Sequence, residues 1–150
     1  MDQVNAMTDQ YISWIRGEVL RLDLAGKDAV LALTFEELAA SYNGCGPEFL
    51  PDAARQVLDK ITSEFAPAFM VHDCEFSKSN ARKVAFDASN RNLLINCVKC
   101  ALDAAPWNSL RRYALLAKAW TIYRACDKFG WSAWLAAYNK NTKKKGNTHE

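Results

Sequence analysis

The chain has two histidines, and one of them, His72, stands beside Asp73 inside the apolar stretch FAPAFMVHDCEF at 65–76. A histidine titrates near neutral pH and takes a proton from water when another group orients its ring. Asp73 is not that group, because adjacent residues on a helix point about 100° apart. The pair can be a plain polar interruption near a core, or Asp73 can instead face a neighbouring loop. There a carboxylate joins backbone carbonyls in holding calcium, an ion that takes oxygen ligands. YNGCGP at 42–47 is such a loop. The ring then needs a carboxylate or an amide from another helix.

Two other patterns carry less chemistry. CVKC at 97–100 has a spacing used for zinc and for thiol exchange, but no second pair and no nearby histidine accompany it. Buried thiols acting as small apolar residues are the better reading. Five cysteines is an odd number, so one chain cannot pair them all. The stretch KNTKKKGNTHE sets Lys140, Lys143, Lys144 and Lys145 against Glu150 alone, and reads as a solvated basic tail over 139–150 or a weak anchor for anionic surfaces. Residues 1–139 then hold 15 basic and 16 acidic side chains, which excludes a nucleic-acid-binding body.

The elements that must position these groups are helical. With 150 residues, half of them apolar and 24% charged, the chain fits one globular domain. No apolar run approaches the roughly 18 residues of a membrane span. MDQVNAMTDQ is acidic and polar, unlike a secretory signal, so the expectation is a cytoplasmic chain or one exported by another route. Ile12, Ile15, Val19 and Leu22 recur at helical steps. Thr34 and Glu37 are spaced as a capping box, and Pro67 opens the helix that carries His72. Long helices follow over 81–105 and from 107 onward, with Gly130 a candidate break. The fold class is all-α, with five or six helices.

Four stretches, in order over about 42–135, resemble the secreted-type phospholipase A2 superfamily, in particular its bacterial and fungal-like branch. FAPAFMVHDCEF is similar to its active-site helix, Phe-x-Pro-Ala-Cys-x-x-His-Asp-x-x-Tyr. NGCGP is similar to its calcium-loop start, SNRNLLINCVKC to its second helix, and LLAKAWTIYRACDKFGWSAW to its last. The resemblance implies a calcium-dependent hydrolase of the sn-2 ester of phospholipids, acting at a membrane surface. His72 is then the general base. Asp73, Asn43 and the carbonyls of Tyr42, Gly44 or Gly46 are then calcium ligands. Residues 1–40 fall outside it, as a helical N-terminal extension.

Departures from the pattern accompany the likeness. Asn90 stands where the family has the aspartate that braces the histidine; Asp87, one turn earlier, is the other candidate. Asn90 shares its face with Phe86, Leu93, Leu94 and Cys97, which makes it the better inward choice. Phe69 replaces the cysteine that usually pairs with the loop cysteine, here Cys45, and Leu115 stands at another such position. Asn43 and Asn90 are neutral where charge is usual. They motivate a second reading, a catalytically impaired relative that binds lipid or a protein partner. Trp107, Trp131 and Trp134 read as packing residues, with a membrane-facing role for one or two as the alternative.

Overall fold

The computed structural model describes residues 2–42 and 52–146. The helices run α1 Asp2–Arg21, α2 Asp28–Leu31, α3 Phe35–Ser41, α4 Asp52–Ile61, α5 Ala66–Ser77, α6 Lys83–Ala104 and α7 Leu110–Gly146, with a 3-10 turn at Ser63–Phe65. No strand occurs among the described residues, so the fold is all-α as expected. The helices outnumber the expected five or six because α2 is a four-residue turn within the break between α1 and α3.

α5 is the beam of the structure, because it has two apolar faces rather than one. Ala66, Met70, Val71 and Cys74 pack against Ile12, Ile15, Val19, Leu24, Val30 and Leu38 of the N-terminal helices. The opposite face sets Ala68 and Phe69, with Phe65 of the preceding 3-10 turn, against Leu93, Cys97, Cys100 and Ala101 of α6 and Leu115 and Ala119 of α7. A helix apolar all round is a buried helix. Helices α1 to α3 therefore cover the helix that carries His72. Phe69 and Leu115, where disulfide cysteines were expected, are ordinary members of this core, 6% and 2% exposed.

Local chemistry sets the boundaries. Thr34 Oγ1 accepts from the N–H of Glu37 at 3.3 Å, and Glu37 Oε2 accepts from the N–H of Thr34 at 2.8 Å, the reciprocal capping box read from the sequence. α6 ends where Ala105 turns extended (φ −146°, ψ 140°), as the residue before a proline must. Arg112 then closes that end: its guanidinium donates to Leu102 O (2.7 Å) and twice to Ala105 O (2.9 and 2.6 Å). These satisfy carbonyls that the helix itself cannot pair.

α7 differs from expectation in two ways. It does not break at Gly130, whose Cα lies against the Phe86 ring; a Cβ there would come within 3.2 Å of Phe86 Cε2. The glycine serves close approach and not a turn. The helix also continues to Gly146, through part of the stretch read as a flexible tail.

The connection between α1 and α2 is held from α6. Asn96, fully buried, accepts from the N–H of Ala25 at 2.7 Å and donates to its carbonyl at 2.8 Å. Lys99 Nζ donates to Asp23 O. Glu75 of α5 accepts from Ser89 Oγ and Asn92 Nδ2, both at 2.7 Å. Its Oε1 would lie 2.3 Å from a Cβ on Gly26, whose φ of +79° also favours glycine.

Candidate functional site

His72 lies on the α6-facing side of α5 and is 9% exposed. Its Nε2 donates to Asn90 Oδ1 at 3.1 Å, a bond between α5 and α6 across 18 residues of sequence. With the proton on Nε2, the lone pair sits on Nδ1. Phe76, one helical turn along, places its ring centroid 4.6 Å from that of His72. Phe76 in turn packs edge-on against Trp134 at 4.9 Å, and Phe86 meets Trp131 at 5.4 Å. The imidazole thus has the Phe76 ring against it and an amide at its tip.

This setting decides its protonation. Burial disfavours imidazolium, while the Asn90 bond favours it only weakly, and the balance lowers the pKa from 6.5 to about 4. His72 is therefore neutral at physiological pH. Asn90 is 1% exposed, and its Nδ2 has no hydrogen-bond partner among the described residues.

Asp87 sits elsewhere. It pairs with Lys83 one turn back, in an exchange where both side chains are about half exposed. Of the two bracing candidates, the one brought to the His72 ring is Asn90. Phe86, Leu93 and Cys97 are buried along with it, and Leu94 is half-buried.

Asp73 points to a different quarter. It is half-buried, and its charge is among the influences that raise the pKa of the Tyr42 hydroxyl, after burial and Tyr11. Tyr42 ends α3, donating its N–H to Leu38 O at 2.9 Å, and its ring lies 6.3 Å from that of Tyr11. So Asp73 and the residue that opens the YNGCGP loop share one neighbourhood. The other loop residues expected as ligands, Asn43, Gly44 and Gly46, lie outside the described residues, as does Cys45. Among the described residues no three His, Cys, Asp or Glu groups converge as a metal cluster. The expected donor set is of another kind, one carboxylate with amide and carbonyl oxygens, and that set suits calcium.

CVKC faces the core. Cys97 and Cys100 are buried in the α5–α6–α7 cluster, and burial pushes the Cys100 thiol up to about 12, far from a reactive thiolate. The tryptophans divide: Trp134 is 3% exposed and Trp107 is 77% exposed.

Two features escaped sequence reading. Phe76 against His72 was visible in principle, as the aromatic one turn after the histidine. Ser89, Asn92 and Asn96, spaced by three and four on α6, form a polar seam that serves the α1–α2 loop and Glu75. Polar residues repeating at helical spacing within an apolar helix were the signal.

The chain matches no family model, no curated protein and no solved structure. The likeness to the phospholipase A2 superfamily therefore rests on the residues and their order.

Proposed function

We propose that this chain is a calcium-dependent, phospholipase A2-like lipid hydrolase with His72 as its general base. The observation that carries the reading is the His72–Asn90 bond, which fixes the ring and puts the lone pair on Nδ1. Nδ1 takes a proton from water as the oxygen adds to the sn-2 ester carbonyl. The tetrahedral intermediate then collapses, and the proton passes to the departing glycerol oxygen. A free fatty acid and a lysophospholipid result. Asp73, with Asn43 and the carbonyls of Tyr42, Gly44 or Gly46, would hold calcium, which supplies Lewis-acid polarisation of the ester carbonyl.

The test is fatty-acid release from phospholipid vesicles, with calcium and with chelator. Release that needs calcium and is lost in His72→Ala supports the reading. No release, or equal release from His72→Ala, sinks it.

A second reading has its own support. Asn90 offers imidazolium a dipole but no charge, and loss of the carboxylate at such a position costs about 10⁴ in rate in a related triad. A ring with a pKa of about 4 also takes a proton reluctantly. A relative that binds lipid or a protein partner without turnover fits both facts. Calcium binding that Asp73→Ala abolishes, without hydrolysis, is its signature.

A further inference from the structure

α7 separates charge. It carries nine Arg and Lys against Asp127 alone, which leaves ten basic and sixteen acidic side chains of the chain's 19 and 17 for everything else. One helix is strongly positive, and the body it packs on is net negative.

The same helix presents an unpartnered apolar stripe. Leu115 and Ala119 turn into the core, while Leu110, Tyr113 and Trp120 are 87%, 64% and 54% exposed. Residues 110, 113, 117, 120 and 124 recur at three- and four-residue steps, one face of a helix. Arg124 continues that face and Lys128 follows one turn on, both exposed and both without an ion pair among the described residues. Trp107, just ahead of the helix, is 77% exposed. Single exposed apolar residues need no explanation, whereas a stripe over three turns does.

We propose that this outer face of α7 docks on an anionic lipid surface, with Leu110, Tyr113 and Trp120 in the headgroup boundary and Arg124 and Lys128 on lipid phosphates. Aromatic and aliphatic groups flanked by Arg and Lys suit that boundary. The net negative body is repelled by the same surface, which turns α7 towards it. A second copy is disfavoured, since two positive faces would meet. A nucleic acid is a poorer fit: Arg111, Arg112 and Lys118 spend their donors on Glu64 and on protein carbonyls, leaving bulky apolar groups on the face that would meet phosphates. The proposal deepens the lipid reading by naming the surface and the lipid class. It rests on that reading only for the choice of a bilayer.

Co-sedimentation with vesicles tests it, using phosphatidylcholine alone and phosphatidylcholine mixed with phosphatidylglycerol, in chelator so that turnover plays no part. Binding at least about tenfold stronger to the anionic vesicles is expected, weakening as salt rises. Leu110→Ser/Tyr113→Ser/Trp120→Ser should lose most of it, as should Arg124→Glu/Lys128→Glu, with helical circular dichroism unchanged. His72→Ala should bind like the parent, so a failed hydrolysis assay leaves this result standing. Three outcomes would overturn the proposal: no preference for anionic vesicles, binding that survives both variants, or self-association through α7. Binding to a DNA duplex as tight as to vesicles, indifferent to the triple substitution, would also overturn it.

Discussion

Asn90 Oδ1 lies 3.1 Å from His72 Nε2, so a neutral amide and not a carboxylate braces the buried imidazole. Asn90→Asp should raise the His72 pKa, because an anion at that distance favours imidazolium. NMR titration of the ring C–H signals checks this, and under the hydrolase reading turnover should rise as well. Asn90→Leu leaves a buried N–H without an acceptor and should cost about 1–3 kcal/mol.

Asp87→Asn should do little. Its pair with Lys83 is roughly half exposed, and such pairs contribute at most about 0.5 kcal/mol within a helix. Denaturant midpoints compare it with Asn90→Leu. If Asp87→Asn proves the more damaging of the two, in stability and in activity, the bracing role belongs to the wrong residue here.

Stability should fall on acidification. The folded pKa of His72 is about 4 against an ordinary 6.5, so the unfolded chain takes a proton that the folded chain refuses. The stabilisation is whole above about pH 6.5 and drains as pH drops to about 4, by roughly 3 kcal/mol in total. Glu75 runs the other way. Burial raises its folded pKa, so it favours folding as pH falls. Urea midpoints for the parent and His72→Gln at pH 7 and pH 4.5 isolate the histidine, and their difference should shrink with acid. A difference that does not change with pH contradicts the assignment.

Gly26→Ala should destabilise by about 1–3 kcal/mol, since it forces a Cβ into a left-handed residue and towards Glu75 Oε1. Glu75 cannot simply swing away without releasing Ser89 and Asn92. Glu75→Ala in the same chain should recover only part of the loss, because the φ of +79° remains unfavourable for alanine. Thermal or urea unfolding reads both.

Asn96→Asp separates size from chemistry. It keeps an acceptor for the Ala25 N–H but turns a carboxylate oxygen on the Ala25 carbonyl, where an N–H now donates. A loss of about 2–3 kcal/mol is expected, with faster amide exchange at Ala25, despite the near-identical shape. An Asn96→Asp chain as stable as the parent would mean that the amide contributes little.

What the sequence disclosed follows from range. Periodicity marks faces, so the helices, the capping box and the inward set of Phe86, Asn90 and Leu93 were legible. The two-sided burial of α5 was less so, because an apolar helix does not name its neighbours. The path of α7 past Gly130 was misread for a related reason: a glycine that breaks a helix and one that admits the Phe86 ring look alike until the ring is in place. The His72–Asn90 bond was accessible only through the motif order. The grip of Asn96 on Ala25 spans 71 residues and involves no charge, so no local pattern announced it.

That grip reads main chain only. Asn96 meets the N–H and carbonyl of residue 25, so it is blind to the side chain there and sensitive to which residue arrives. Substitutions at 25 are therefore tolerable in principle, whereas one residue added or removed between α1 and α2 would bring a different peptide group to the amide. It would also move Gly26 off the Glu75 carboxylate. In this segment spacing carries more information than identity: variants that diverge freely in letters at 25 should still hold the count.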